Sequence, residues 1–524
     1  MADVANPAPS GADSCDVLIS GTGLVESILA AALAWQGSRV VHLDSNGYYG
    51  GAWAALNLDE LRTWVDRVNA GASGADAAFA DAYLYISRNL ESRKYAVDLS
   101  PHVLFTRSDL LSLLIKSRVS RYLEFKPVGS FHTFEQDSFE KVPGTKEDIF
   151  TSQTLTLLTK RSLMRFIKFV AEYETSPAVW TPYRARSIST FLAEKFRLEP
   201  PQIVELVHSI GLCVSPDVPT EDALAKIKRY LVSMQVFGNF PAVYSMYGTA
   251  GELAQGFCRS SAVAGSTYRL GTAVTAFDAA SGVATLDTGE KLTVTEKYVT
   301  SAGKTGGAEV TRMVAIVEKD CAEWFAEGES AAVVIFPPGT LDGNKYAVQV
   351  LVMGSGSGQC PTGQAIWYLS TVEPGDQGRK ELYLALEKME EAILRESTED
   401  FELDVGEEDI LYLPNGLPTI KSVRLGESLR NFVPKEALKY LLKLSYSQTT
   451  GPAPAGAGRE LFTAAPGIDI SFDGAVAEAR ALYEAVTGAQ DDFFDVDFED
   501  DDDGAPADAG SDSDHAEVAG EMTI

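Results

Sequence analysis

The sequence predicts an α/β protein of the FAD/NAD-binding-like type, with mixed sheets and an inserted, mainly helical domain. Three observations carry that reading. A strand, a glycine turn, a helix and a second strand follow one another over residues 16–44. Residues 151–235 hold mostly helical patterns, and strand-like runs return after about 265. At 524 residues the chain is long enough for two or more domains with substantial cores.

The elements follow in order. DVLIS, from Asp16, is a short buried strand; GTGLVES turns into a helix through LAAALAWQG; RVVHLD is a second strand ending at Asp44. SNGYYGGAW is rich in glycine and tyrosine, as a turn is, and AGASGADAAFA at 70–80 reads as a flexible insertion. VDLSPHVLFTRSDLLSLLIKSRVSRYLEFK reads as strand, helix, strand. In the helical region, TLLTKRSLMRFIKFVAEYE places Leu158, Leu163, Phe166, Phe169 and Val170 at spacings compatible with one face. SISTFLAEKF, PQIVELVHSIGL and TEDALAKIKRYLVSMQVF each open on Ser, Pro or Thr-Glu start signals. YRLGTAV, VATLDTG, KLTVTEKYV, AAVVIFPPG, YAVQVLVMG and AIWYLSTV are strand-like. After a linker-like GPAPAGAG at 451–458, ELFTAAPGIDISFDGAVAEARALYEAV reads as strand, loop and amphipathic helix.

Charge narrows the partners. Residues 491–524 hold 14 acidic side chains and no Lys or Arg, which leaves −16 of the net −30 for the rest. An acidic body argues against sequence-independent nucleic-acid binding, which depends on neutralising phosphates, and against electrostatic docking on anionic lipid. The five cysteines stand singly, without CxxC spacing, which suits a reducing compartment rather than a disulfide framework or zinc site. With no signal-like N-terminus and no long apolar run, the cytoplasm is the expected location.

The glycine loop departs from what a dinucleotide requires. A GxGxxG loop lets the pyrophosphate approach the backbone at the start of the helix. Gly21 and Gly23 fit, but Glu26 stands at the third position. Its carboxylate suits the helix dipole and opposes an anion at the same place. Asp44 lies near where a ribose-binding acid belongs, so the frame is kept and the phosphate seat compromised. No bound cofactor and no metal are expected. No HExxH, GxSxG or P-loop pattern occurs, and His42, inside a strand pattern, reads as core. Of the cysteines, Cys258 has the most motif-like setting, and packing is its expected role.

GTGLVESILAAALAWQGSRVVHLDSNGYYGGAWAAL resembles the opening of the Rab GDP-dissociation inhibitor and Rab escort superfamily, including the Glu in place of the third glycine. The VDLSPHVLF…YLEFK segment, the KRSLMRFIKFVAEYE helix, MYGTAGELAQGFCRSSAVAGSTYRL and SFDGAVAEARALYEAV match in the same order. Together they span roughly 15–485. Trp53 after YYGG, KRSLMRF and the acidic tail resemble the escort branch, most of all its fungal form.

The resemblance implies a GDI-like fold in which 15–150 and 236–488 form a discontinuous Rab-binding domain. Residues 151–235 would be a helical domain for lipid and transferase contact, with a disordered N-terminus at 1–14 and a disordered acidic tail at 489–524. It implies no catalysis of its own. The partners would be Rab GTPases in the GDP form, Rab geranylgeranyltransferase and the geranylgeranyl group of the product, with transient membrane delivery. A Rab GDP-dissociation inhibitor and a flavin-dependent oxidoreductase are the alternatives.

By the same resemblance Tyr49, Glu252, Gln255 and Arg259 form the Rab-binding platform; the structural alternative is a Glu252–Arg259 ion pair. Arg269 departs from the apolar residue of the related inhibitors. Ile115, Val119 and Tyr122 would line a groove for the Rab C-terminal tail, with Ile115 and Val119 on one helix face by their spacing. Phe169 would contact the transferase, against burial among Leu163, Phe166 and Val170. The family's arginine partner for Phe169 has no secure counterpart near Trp180, Tyr183 and Arg184.

Overall fold

The computed structural model describes residues 14–87, 89–142, 156–304, 306–396, 410–412, 418–420, 437–489 and 493–496. Strand β1, Ser14–Ser20, helix α1, Leu24–Trp35, and strand β2, Val40–Asp44, form the opening βαβ unit. Every α1 residue from Leu24 to Ala34 is buried, as befits a helix that is apolar all round beyond Ser27. It is wedged between helices Thr249–Val263 and Ala475–Thr487 on one side of the sheet.

That sheet has seven strands. Thr267–Leu270, β2, β1 and Lys291–Ser301 run parallel in this order. Glu460–Thr463 extends it alongside Tyr298–Ser301. Val283–Leu286 and Val274–Asp278 add an antiparallel wing. The strand order matches a dinucleotide-binding sheet.

A second sheet has eight strands, in the order Phe79–Ile86, Tyr440–Thr449, Glu309–Val317, Ala365–Thr371, Val348–Gly354, Ala331–Phe336, Ser130–Glu135 and Ser138–Lys141. Alternation along Glu309–Val317 sends Met313, Ala315 and Val317 to a core shared with helix Gly375–Glu396. Val314 and Ile316 face the other way, into a core shared with the helices of 157–233. Thr133 Oγ1 to Ser209 Oγ at 2.5 Å and Gln349 Nε2 to the Leu212 carbonyl at 2.8 Å pin those helices to the sheet.

Several expectations need correction. Residues 70–80 are not a flexible insertion. Gly74–Ala78 is a short 3₁₀ turn whose buried Asp76 accepts from Trp64 Nε1 at 3.2 Å and from Arg67 at 2.7 Å. Leu158 does not share the buried face of helix Leu157–Ala171. Leu163, Phe166 and Val170 are buried, whereas Leu158, in the first turn after the Thr156 cap, is exposed.

Ile115 and Val119 are not on one helix either. Arg118, with φ 56°, takes a left-handed conformation that ends helix Asp109–Lys116, and Val119–Tyr122 is a separate 3₁₀ turn. Finally, the disordered tail expected from 489 does not hold for residues 493–496. Phe493 and Phe494 are buried against Tyr483 and Phe257, because an aromatic pair inside the acidic run has apolar surface to bury. Of the expected disordered N-terminus at 1–14, Ser14 instead begins strand β1; residues 1–13 and the tail beyond 496 lie outside the described residues. Among the described residues no helix is long and apolar enough to cross a membrane.

Candidate functional site

The glycine loop is filled by the protein itself. Glu26 is buried beneath it and accepts a hydrogen bond from Thr463 Oγ1. Burial pushes its carboxyl up to about 7. A Cβ on Gly23 would lie 2.5 Å from Glu26 Oε2 and 3.2 Å from the Trp53 ring. Gly50 N–H donates to the Thr22 hydroxyl at 3.0 Å, folding the YYGGAW segment over the loop.

Asp44 is engaged as well. It accepts from Thr22 N at 2.9 Å, from Thr22 Oγ1 at 2.6 Å and from Asn46 N at 2.8 Å. A pyrophosphate at this helix start would meet a buried carboxyl and an indole instead of free N–H groups. Asp44, at the position of a ribose-binding acid, already accepts three hydrogen bonds from the protein. The residues present do not fit a bound dinucleotide.

His42 ties this region to the next. Its Nε2 lies 2.6 Å from the Gly21 carbonyl and its Nδ1 3.0 Å from the Tyr268 hydroxyl. Burial lowers its pKa to about 4, so the ring is neutral, donating to Gly21 and accepting from Tyr268. Tyr268 packs edge-on to Tyr49, ring centroids 6.2 Å apart, and beside the Cys258 thiol of helix Thr249–Val263. Cys258 is buried and in contact with Ser27 Oγ, which fits the expected packing role.

That helix carries the other platform candidates. Glu252, Gln255 and Arg259, three and four residues apart, share one face. Gln255 and Arg259 are exposed and Glu252 half-buried. The opposite face, with Leu253, Ala254, Phe257 and Ser261, is buried.

Two glycines set the helix close to its neighbours. A Cβ on Gly251 would come within 2.9 Å of the Ala55 nitrogen, and one on Gly256 within 2.9 Å of Val119. Asp98 holds the helix start: its carboxylate accepts from Thr249 N at 3.1 Å and from Gln359 Nε2 at 2.8 Å. Sequence reasoning missed Asp98, since its role depends on a partner 151 residues away.

Among the described residues no ion pair joins Glu252 to Arg259. Arg259 instead lies over the ring of Tyr122, 4.5 Å from its centroid, joining two candidate sets that stand apart in the sequence. Of the tail-groove candidates, Ile115 is half-buried and Tyr122 is 40% exposed. Val119 is fully buried, so it supports the floor beneath Gly256 and lines no open groove. Arg269 pairs with Glu290 at 2.7 Å. Sequence reasoning also missed Tyr247, 54% exposed just before the helix. Its left-handed φ of 67° left no signature in the residue pattern.

Phe169 is half-buried, with ring centroids 5.2 Å from Phe196 and 5.9 Å from Phe191. The nearby arginines are engaged. Arg165 stacks on Phe196 at 5.1 Å, and Arg184 makes a two-bond pair with Glu221 at 2.5 and 2.6 Å. Arg186 reaches Glu194 at 3.1 Å.

The GDP dissociation inhibitor family model matches residues 12–408. The chain is 46% identical to the Rab proteins geranylgeranyltransferase component A of Saccharomyces cerevisiae, over 96% of this chain and 89% of that one. It is 41% identical to the protein of the same name from Candida albicans, over 94% and 87%. The crystal structure of Rab GDI from Plasmodium falciparum superposes with a TM-score of 0.64 at 22% identity, covering 91% of this chain and 99% of that one; this likeness supports the FAD/NAD-binding-like fold. The chain therefore belongs to the GDP dissociation inhibitor family, and within it is similar to the fungal component A (Rab escort) proteins.

Proposed function

We propose that the chain acts as a Rab escort protein. It binds newly made Rab in the GDP form, presents it to Rab geranylgeranyltransferase, and keeps the lipidated product soluble until membrane delivery. The observation that supports this reading is the helix face of Glu252, Gln255 and Arg259, with Tyr122 against Arg259, beside a dinucleotide seat filled by the protein's own Glu26 and Trp53. Tyr and Arg on a rigid helix are typical anchors of a protein interface. Among the described residues no carboxylate pairs with Arg259, which leaves its guanidinium for a bidentate contact. With the cofactor seat filled, the fold serves binding rather than flavin chemistry, and the chain is a non-catalytic accessory component.

The physical need for such a carrier is plain. Each methylene of an isoprenoid left in water costs about 0.8 kcal/mol, so a soluble carrier must cover it. The helices of 157–233 are the proposed lipid and transferase region, with Phe169 as the transferase contact. Their inward side chains, among them Phe166, Ile188, Phe191 and Leu224, are fully buried. Lipid entry therefore requires those helices to part.

The test is reconstitution from purified chain, Rab–GDP, Rab geranylgeranyltransferase and labelled geranylgeranyl diphosphate. Lipid transfer that depends on the chain is the expected result. No stimulation, with extraction of prenylated Rab from membranes retained, would instead assign a GDP-dissociation inhibitor.

A further inference from the structure

Arg312 lies in the middle of strand Glu309–Val317 and points from the eight-stranded sheet towards the loop at 468–470. It is 6% exposed. Among the described residues its hydrogen bond runs from Nε to Gln448 Oε1 at 2.5 Å, and no carboxylate pairs with it. The guanidinium borders a cavity of about 10 Å³ between the sheet and that loop. Such a space holds about one water-sized sphere.

Of the other polar side chains around the cavity, the Ser370 hydroxyl has no partner among the described residues and the rest are committed elsewhere. The Tyr446 hydroxyl donates to the Leu99 carbonyl at 2.6 Å, Gln349 Nε2 to the Leu212 carbonyl at 2.8 Å, and the Tyr368 hydroxyl to Gln359 Oε1 at 3.0 Å. Asp469, the carboxylate on the cavity wall, is held by Lys226 at 2.7 Å and by Arg229 at 3.6 Å. Arg229 is shared with Asp473. Those two cations draw Asp469 away, and its charge is answered without Arg312.

A guanidinium remains charged at any pH a folded protein tolerates, and a buried charge without a counter-ion is costly. A water in the cavity would fill the space and leave the charge. We propose that the cavity beside Arg312 is a binding site for a single small inorganic anion, chloride, seated between the eight-stranded sheet and the loop at 468–470. The same loop clamps helix Thr220–Ser233 through Asp469. The anion thus braces the junction between the sheet and the helical region.

Bromide replaces chloride and is visible by its anomalous scattering. Crystals of the full chain soaked in bromide should show an anomalous peak within hydrogen-bond distance of Arg312. In solution, at ionic strength held constant with gluconate, each tenfold rise in chloride above its dissociation constant should raise the folded-to-unfolded ratio about tenfold. Arg312→Met should lose that response. A cavity peak without anomalous signal would assign water and overturn the proposal, as would an equal chloride response in wild type and Arg312→Met. If Arg312→Met does not fold, the wild-type bromide map decides alone.

Discussion

The guanidinium of Arg259 rests on the ring of Tyr122, 4.5 Å from its centroid, so a residue of the 3₁₀ turn at 119–122 orients one on helix Thr249–Val263. Both side chains reach solvent. A stacked arginine loses less freedom on meeting a carboxylate than a free one does. Tyr122→Ala should weaken Rab–GDP binding about twofold to fivefold, the size of an exposed cation–π contact of about 0.5–1 kcal/mol. Tyr122→Phe should bind like wild type, and Arg259→Ala should lose at least about tenfold. Titration with Rab carrying fluorescent GDP reads all three. Equal losses in Tyr122→Ala and Tyr122→Phe would place the effect on the hydroxyl and reject stacking.

The opening βαβ unit was legible because a short apolar strand, a glycine turn and a mostly apolar helix leave few alternatives. Glu26 was legible too: its position under the turn follows from helix geometry alone. The Tyr122–Arg259 contact was not, since 137 residues separate the partners and neither carries a pattern that names the other. The left-handed Arg118 was equally hidden, because a non-glycine residue at positive φ gives no compositional sign. The docking of Phe493 and Phe494 was masked by the acidic run around them, which by composition alone reads as disordered.

Glu26 gives the fold a pH dependence of known sign. Burial raises its carboxyl from an ordinary 4.5 to about 7. Its stabilising contribution is therefore complete below 4.5 and lost as pH rises from there through about 7. Glu26→Gln keeps the shape and removes the ionisation. The variant should lie within about 1 kcal/mol of wild type near pH 5 and exceed it at pH 8 by up to about 3 kcal/mol, since each pH unit between the two pKa values is worth about 1.36 kcal/mol. Some pH dependence should persist in the variant, because burial raises Asp98 to about 7 as well. Urea unfolding at the two pH values checks this; a constant difference between the proteins would show that Glu26 does not ionise over the range.

Phe493 and Phe494 anchor the start of the acidic tail. Phe494 lies against Phe257, ring centroids 6.1 Å apart, and Phe493 against Tyr483 at 5.5 Å. Lys116 Nζ reaches the Phe493 carbonyl at 3.4 Å. Both rings are buried in the core around helix Leu24–Trp35, but the segment follows the last helix, so its release can be local and not global. Phe493→Ala combined with Phe494→Ala should expose residues 493–496 to limited proteolysis and raise binding of a hydrophobic dye at the uncovered Tyr483 surface. The stability of the body should change by less than about 1 kcal/mol. A loss of several kcal/mol, as in core truncations, would make the aromatic pair part of the cooperative core.

Phe169 and Phe166 stand one turn apart on helix Leu157–Ala171 and separate contact from packing. Phe166 is fully buried, whereas Phe169 keeps part of its ring in solvent beside Phe191 and Phe196. Truncating Phe166 removes core and should cost about 3–5 kcal/mol. Truncating Phe169 should cost less, about 1–2 kcal/mol, because its half-buried ring gives up less apolar area. If the exposed edge of Phe169 meets the transferase, Phe169→Ala should reduce lipid transfer at least about tenfold, as expected for an aromatic anchor. Rab–GDP binding, proposed for helix Thr249–Val263, should stay at the wild-type value. Phe169→Leu, which preserves packing but not the aromatic edge, should recover stability and not transfer. Full transfer activity in Phe169→Ala, with the expected stability loss, would assign Phe169 to packing and move the transferase contact to another part of the helical region.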